Sequence, residues 1–429
     1  MAYEITYNKE TYRVSIEIAR VDRKDPTKIV ESSLYTLVQD YISRILIVND
    51  MNEYYPFMEI EYKDKGHNLW KKYCDDGYTT MSFNMSLYRA DDQEPVAVSH
   101  SFIVSSIKLL DMNVNEATYR VKCTSSLFHL LRSYAEFSTG DTDMPATMIA
   151  KRILIHAGYP IKIRRGELES PAETSMPYIS PANYTVLQNV KYLMKKAVSP
   201  GRGMYYLFYN MLANKGTMTN INDIFSKYPE NVINRNALEI PAIMNNPTSY
   251  MNVADMKCDN LLTGPGSYNF LGNTTLNNFN HLTRKWNKRT YDYKGMMKML
   301  PSLDQQYKDF GKIYRNVPGS ITNYNKYERE ETNVAYGAVY DKLDKLYQYY
   351  SVLQFNNWGS IERDIGQLVG LVAQDRAMMS RYGGAWMISR ITHSFTRDNY
   401  VNNIIAIRTT GRDTDEIFND QSGSIMENA

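Results

Sequence analysis

The sequence predicts an α+β fold that is mainly β, with strand-rich regions at both ends and helical and irregular segments between them. Three observations support this prediction. Apolar and polar residues alternate with a period of two before residue 125 and again after residue 350. Apolar residues recur at helical spacing between residues 126 and 197. Tyrosine is frequent, with 36 residues, and its ring suits half-buried sheets and protein interfaces.

The first domain is assigned to residues 1–125. Alternation over 12–18, 58–62, 83–87 and 119–123 indicates strands of an antiparallel sheet with one buried face. Residues 111–116 predict a turn between two strands. Several strands in a row indicate a small barrel or a sandwich.

A helical domain is assigned to residues 126–225. Helices are predicted over 126–137, from Pro145 to Gly158 and over 183–197, because proline favours a first turn and glycine often ends a helix. A short hairpin over 205–211 and 217–220 is expected to follow.

The segment 226–330 is rich in Asn, Pro, Gly and Tyr and has no sustained period. Long irregular segments in a compact chain are often contact loops, and disorder is the alternative. Phe270, Phe279 and Trp286 favour an ordered insertion that makes contacts.

The last domain is assigned to residues 331–412, followed by a C-terminal tail over 413–429. A tyrosine-rich helix is predicted over 334–350. No internal repeat is long enough to identify. The strands expected after the helix are 352–355, 367–373, 385–395 and 401–408.

Charge and cysteine content exclude some classes of protein. The formal net charge of +2 excludes a strongly basic nucleic-acid coat and a polyanionic tail. The 3 scattered cysteines form no zinc or redox motif, and their odd number indicates folding in a reducing cytoplasm. No signal peptide or membrane-spanning run is found, so we expect no stable membrane association.

No motif predicts an enzyme. The P-loop, dinucleotide-binding and nucleophile-elbow spacings are absent, and no histidine pair has helical metal-binding spacing. We therefore expect no catalytic residue, metal or cofactor. His393, in a strand among apolar residues, is expected to be a hydrogen-bonded structural residue rather than a base. A glycosidase remains an alternative, because its carboxylate pair would meet only in three dimensions.

Basic and aromatic residues interleave from 284 to 291. Such a patch could bind phosphates and stack on bases, as in a nucleic-acid-binding accessory protein, or it could be a charged, tyrosine-rich protein interface. The interface is favoured because the rest of the chain supplies no basic stripe. This basic–aromatic patch consists of Arg284, Lys285, Trp286, Lys288, Arg289 and Tyr291.

The order of elements resembles the central baseplate hub proteins of contractile-tailed bacteriophages, and also the N-terminal hub region of type VI secretion spike proteins. Residues 101–126 are similar to the closing hairpin and following helix of the family's first barrel, and 145–159 with 184–198 to its helical insertion. The C-terminal part resembles the second barrel, which the family builds on G-x-W-x-V-x-x-V-x-H-x-F followed by Y-x-T. Gln367 stands where an acidic residue is frequent. The matching structural positions are Gly366, Trp386, Ile391, His393 and Tyr400.

The resemblance implies two small tail-tube-like antiparallel β-barrels per chain, in a homotrimer that forms a ring with six-fold-like symmetry. Such a hub adapts a hexameric tail tube to a trimeric spike, and DNA passes through it in transit. The partners implied are further copies of the chain, the tube, the spike, other baseplate proteins and the tape measure protein. The location implied is the virion tail baseplate, after folding and assembly in the host cytoplasm.

Overall fold

A computed structural model describes residues 3–7, 10–21, 29–36, 41–68, 81–89, 97–133, 141–161, 175–178, 180–181, 183–199, 203–220, 224, 237–240, 254–259, 274–280, 284–291, 319–323, 351–373, 382, 384–397 and 399–408. Within these residues the chain is mainly β, with 22 strands and three short helices. The predicted α+β, mainly β class is therefore confirmed.

Eight strands come before the first helix, and they include the four predicted alternating segments. The predicted turn over 111–116 is a tight connection at residues 113–115. These strands are β1 (Tyr3–Tyr7), β2 (Glu10–Val21), β3 (Ile29–Thr36), β4 (Ile42–Asp50), β5 (Phe57–Lys65), β6 (Met81–Arg89), β7 (Ala97–Met112) and β8 (Glu116–Ser125).

The three predicted helices are present and all are shorter than expected, the second by only a residue or two at each end. The first ends early because Ser133 is extended. The third begins at Val186 because Thr185 and Gln188 form a capping box there. The elements are α1 (Ser126–Arg132), β9 (Asp141–Pro145), α2 (Ala146–His156), β10 (Ser175–Tyr178), α3 (Val186–Met194), β11 (Val198–Ser199), β12 (Gly203–Asn210) and β13 (Lys215–Asn220).

The segment 226–330, which showed no period, contains five strands. Strand β16, with sequence TTLNNFN, lacks the alternation by which a strand is recognised. The four strands expected near the C-terminus are confirmed, and the helix predicted over 334–350 lies outside the described residues. The strands are β14 (Ala237–Ile240), β15 (Ala254–Asp259), β16 (Thr274–Asn280), β17 (Lys285–Tyr291), β18 (Gly319–Asn323), β19 (Ser351–Trp358), β20 (Leu368–Ala373), β21 (Gly384–Thr396) and β22 (Asn399–Arg408).

Fourteen strands form one large sheet, which we call the main sheet. Its path runs β1-β2-β6-β7-β8-β5-β4-β21-β22-β19-β15, while β3 joins β2, and β20 joins β21 and β14. N-terminal and C-terminal strands meet at the antiparallel pair β4–β21, from Arg390 opposite Asp50 to Thr396 opposite Arg44. We call this pair the seam. Strands β9–β10, β11–β13 and β16–β18 form separate smaller sheets.

Buried apolar side chains form two clusters. The larger joins N-terminal strands to the helices and includes Ile60, Val121 and Leu193. The smaller lies mainly in the C-terminal strands and includes Phe355 and Trp386. Burial alternates residue by residue along β5 and β8, which explains the period of two in the sequence. No helix among the described residues is long and apolar enough to cross a membrane.

Candidate functional site

The main sheet contains the same five-strand arrangement twice. In unit 1 the order is β6-β7-β8-β5-β4, and in unit 2 it is β20-β21-β22-β19-β15. All neighbours within both units are antiparallel. This repeat was not predicted from the sequence, although 103–109 (IVSSIKL) and 387–393 (MISRITH) share a serine and an isoleucine in register.

Both units have a β-bulge at the same place, and a serine occupies it. The Ser105 hydroxyl in β7 donates to the Lys122 carbonyl oxygen over 2.9 Å. The Ser389 hydroxyl in β21 donates to the Ile405 carbonyl oxygen over 3.0 Å. In each case the acceptor residue is paired with the position directly after the bulge. The two serines therefore align the units residue by residue.

The seam uses only the part of β21 beyond its bulge. Strand β20 pairs with β21 no further than Met387, and β4 pairs with it from Arg390 onward. The Arg390 Nε atom lies 3.9 Å from an Asp50 carboxylate oxygen across the seam. The bulge thus divides β21 into a half that pairs within unit 2 and a half that pairs with unit 1.

One face of the main sheet points away from both cores and continues across the seam; we call it the outer face. In unit 1 part of its charge is paired, with Arg120 Nη2 2.6 Å from a Glu61 oxygen and Lys122 Nζ 3.9 Å from a Glu59 oxygen. In unit 2 it is mainly polar, with Arg390 beside the seam and the exposed Lys257 on β15. The outer face includes Arg44, Glu59, Glu61, Arg120, Lys122, Asn356, Thr392, Ser394 and Asn403.

A buried carboxylate fastens unit 2 to unit 1 and to the β12–β13 hairpin. Asp364 accepts hydrogen bonds from Asn49 Nδ2 over 2.8 Å, from the Leu212 amide over 3.0 Å and from the Ile365 amide over 2.8 Å. Asn49 Nδ2 also donates to the Tyr209 carbonyl over 2.8 Å. Burial raises the pKa of Asp364 to about 6, and the N–H donors act in the opposite direction.

Gln367 supports this carboxylate indirectly. Its Oε1 accepts from the Asp364 amide over 3.1 Å, and its Nε2 donates to the Glu362 carbonyl over 2.9 Å. The buried acid of this loop is therefore Asp364, three residues before Gln367. Asp364 was not predicted, because a single aspartate before Ile365 has no pattern that distinguishes it in the sequence.

A second buried cluster links unit 1 to the hairpin through a histidine. His100 Nε2 lies 2.7 Å from Ser125 Oγ, and His100 Nδ1 lies 3.4 Å from the Tyr209 hydroxyl. Ser125 also caps α1 by accepting from the Leu127 amide over 3.1 Å. Burial lowers the pKa of His100 to about 4. Ser125 is fully buried, so this serine–histidine pair cannot reach a substrate and acts as a structural link.

The predicted structural residues of unit 2 lie in or against its core. Trp386 and Ile391 are fully buried, and Trp386 Nε1 donates to the Tyr382 carbonyl over 2.8 Å. Gly366 has φ +77°, and a Cβ atom there would lie 2.4 Å from Phe208 Cζ. Only glycine therefore fits this close contact with the hairpin.

His393 and Tyr400 form a buried pair at the seam end of unit 2. His393 Nδ1 lies 2.8 Å from the Tyr400 hydroxyl. Burial, with a smaller contribution from Arg363, lowers the pKa of His393 to about 4. A neutral imidazole bonded to a phenol inside the core stabilises the packing of β21 on β22.

The basic–aromatic patch lies on β17, at the edge of the small β17-β16-β18 sheet. Arg284, Lys285, Trp286 and Lys288 are exposed. Arg289 and Tyr291 occupy the same strand, but their side chains are outside the described part of the chain. Among the described residues, no group of three or more His, Cys, Asp or Glu side chains could hold a metal ion.

Comparisons with known proteins find the fold but no sequence relative. No family model matches the sequence, and no curated protein matches it. The structure is similar to the 43 kDa tail protein of prophage MuSo2 from Shewanella oneidensis, with a TM-score of 0.54 and 13% identity over 92% of this chain and 98% of that chain. It is also similar to the tail protein from Neisseria meningitidis MC58, with a TM-score of 0.51 and 9% identity over 92% and 96%. The resemblance to phage tail proteins is thus confirmed for the fold.

Proposed function

We propose that this chain is a structural component of a phage tail baseplate, namely its trimeric central hub. The observation that carries the proposal is the repeated five-strand unit, joined into one sheet by the seam in a chain with the fold of tail proteins. Three chains present six similar units around a ring. Such a ring matches a hexameric tail tube on one side and a trimeric spike on the other.

The two units correspond to the two small β-barrels that the resemblance implies. We assign unit 1 to the domain 1–125 and most of unit 2 to 331–412, with 126–225 and 226–330 as insertions and 413–429 as a tail. The smaller apolar cluster lies mainly in unit 2, which supports its separation from unit 1, while the larger one joins unit 1 to the helices and also includes Phe395 and Tyr400. Gly366, Trp386, Ile391, His393 and Tyr400 then act by keeping unit 2 in shape rather than by touching a ligand.

The outer face of the main sheet is the surface we assign to the DNA ejection channel. On unit 1 Arg120 and Lys122 lie beside Glu61 and Glu59, at the seam Arg390 lies beside Asp50, and in unit 2 Asn403 Nδ2 donates to Asn356 Oδ1 over 2.6 Å. Each unpaired cation against DNA adds salt-dependent binding to phosphate. The paired charges and amides in the middle of this face therefore weaken its binding to DNA in passage.

The remaining surfaces are assigned to partner proteins of the virion. The exposed basic–aromatic patch on β17 is proposed as a contact with another baseplate protein or with the tape measure protein. The role is structural and involves no turnover. The chain folds and assembles in the host cytoplasm, has no stable membrane association, and resides in the tail of the virion.

Negative-stain electron microscopy of the purified chain, alone and mixed with its cognate spike, tests the proposal. We expect end-on class averages of a ring with three-fold or apparent six-fold symmetry and a central hole. Light scattering on the same sample should give the mass of three chains. Monomers in both samples, at concentrations up to the solubility limit, would contradict the hub function.

A further inference from the structure

The seam pairs two strand edges, that of β4 in unit 1 and that of β21 beyond its bulge in unit 2. Each of these edges has a structural counterpart in the other unit. Strand β4 ends unit 1, and β15 holds the same position at the end of unit 2. The half of β21 beyond Ser389 corresponds to the half of β7 beyond Ser105. Strand β6 pairs with β7 no further than Ile103, just as β20 stops before the bulge of β21. Within the described residues, β15 has no strand on the side away from β19, and residues 104–112 of β7 have none on the side away from β8.

We propose that β15 of one copy adds to residues 104–112 of β7 in the next copy, antiparallel, as β4 adds to β21 inside the chain. This inference rests on the proposed ring and names the surfaces that close it. The occupant of the free β7 edge is therefore a second copy of this chain. The pairing is head-to-tail, because it joins the end of unit 2 to unit 1. Head-to-tail contacts close into a ring when the rotation from copy to copy completes a full turn, which for the proposed trimer is a rotation of one third of a turn.

The repeat fixes the register of this pair. With the bulge serines matched, Lys108 corresponds to Thr392 and position 259 corresponds to Val48, which faces Thr392 across the seam. Lys108 then lies opposite position 259, an aspartate in the sequence.

The next outer-face position of the register also joins opposite charges. Strand β7 has a second bulge between Leu109 and Asp111. With Leu110 as its extra residue, Asp111 lies opposite Lys257. Opposite charges directly across two strands stabilise their pairing, and like charges oppose it. A register taken from backbone topology alone thus joins opposite charges at both positions.

The exposure of the β7 edge supports a protein occupant. Lys108, Asp111 and Lys257 are all exposed. Leu109 is 48% exposed and Met112 is 64% exposed, both at the free end of β7. An unpaired strand edge with exposed apolar side chains favours association with another strand.

The turn that ends this edge is well organised. Asn113 Oδ1 accepts from the amides of Asn115 and Glu116, each over 2.8 Å. The Gly66 amide donates to the Asn115 carbonyl over 2.7 Å and ties the turn to β5. The edge is therefore held in strand geometry before any partner arrives, which lowers the entropy cost of adding a strand.

A disulfide across the proposed pair tests it. Directly opposite residues in antiparallel strands have Cα atoms about 4.5–5.5 Å apart, which suits a disulfide. The test variant carries Asp111→Cys and Lys257→Cys, with Cys74→Ser and Cys258→Ser; the third native thiol, Cys123, is buried and is kept. The control carries Lys63→Cys and Lys257→Cys in the same background, because Lys63 is exposed on β5, two strands away from the β7 edge.

After mild oxidation of assembled protein, the test variant should give covalent trimers on a non-reducing gel, and the control should stay monomeric. Rings in the microscope without this cross-link would overturn the strand pairing and leave the hub function standing. No rings in the parent would overturn both.

As an independent check, Asp111→Lys should abolish rings and the double change Asp111→Lys with Lys257→Asp should restore them. Failure of the double change to restore rings would contradict the register.

Discussion

At the scale of single residues, the domains are held against each other by a few groups that tolerate little change. Asp364 gathers donors from β4, from the β12–β13 hairpin and from its own loop. Gly366, two residues later, lets Phe208 of the hairpin approach the backbone. Because these contacts lie in one short loop, a substitution there affects both the loop and the hairpin.

Two glycines with the same backbone geometry allow this contact to be measured. Gly158 and Gly366 both have φ +77°, but an added Cβ atom meets nothing within 4 Å at Gly158 and meets Phe208 Cζ at 2.4 Å at Gly366. Gly158→Ala should lower the free energy of unfolding by about 1 kcal/mol, from backbone strain alone. Gly366→Ala should cost roughly 2 kcal/mol more, from overpacking. Urea denaturation measures both, and equal losses would show that the hairpin adapts without cost.

Individual residues were predictable only where a local pattern marks them. Trp386 and His393 belong to a strand rich in apolar residues, which indicates burial, and both are buried. The Asn49–Asp364 hydrogen bond joins residues 315 positions apart. No local period contains such a contact, so the sequence could not reveal it.

At the scale of elements, periodicity predicted about half of the described strands but not their relationship. The predicted segments before residue 125 fall in β2, β5, β6 and β8 and those after residue 350 in β19–β22, whereas β4, which forms the seam, was not predicted. The repeat between the units was missed because it lies in strand order, bulge position and two serine hydrogen bonds, while the aligned strands share few identical residues. Backbone pairing preserves such a relationship after the side chains have diverged.

Amide hydrogen exchange tests this relationship between strands. If β15 covers β7 in the ring, peptides spanning 104–112 and 254–259 should exchange at least tenfold more slowly in assembled protein than in dilute monomer, because new backbone hydrogen bonds protect their amides. The peptide spanning 390–396 is the internal control. Its partner β4 is in the same chain, so its exchange should be the same in both states. Unchanged exchange of 104–112 would mean that assembly leaves this edge free.

At the scale of the whole molecule, buried titratable groups predict how stability depends on pH. His100 and His393 have folded-state pKa values lowered to about 4 from 6.5. At a pH between these two pKa values, the unfolded chain binds more protons than the folded chain. The free energy of unfolding therefore falls as pH falls from 7 to 5, by roughly 2 kcal/mol for each histidine. Asp364, with its pKa raised to about 6 from 3.8, acts oppositely and gains about 1 kcal/mol over the same interval.

The His393→Gln variant isolates one of these contributions. Glutamine keeps a partner for the Tyr400 hydroxyl but has no proton to gain. The free energy of unfolding, measured in urea at pH 7.5 and pH 5, should fall less with acid in the variant than in the parent, by roughly 2 kcal/mol. An identical loss in both proteins would show that His393 is not kept neutral by burial.

Because both units are in one polypeptide, any ring these chains form must contain an even number of units. Each chain contributes one of each unit, so a closed ring holds an even number of units in strict alternation. Helices α1–α3 follow β8 and therefore accompany unit 1 at every second position around the perimeter. Consider a partner ring of identical subunits, each of which contacts one unit of this ring. Its subunits contact unit 1 and unit 2 in turn, so neighbouring partner subunits have different surroundings and are no longer equivalent at this contact.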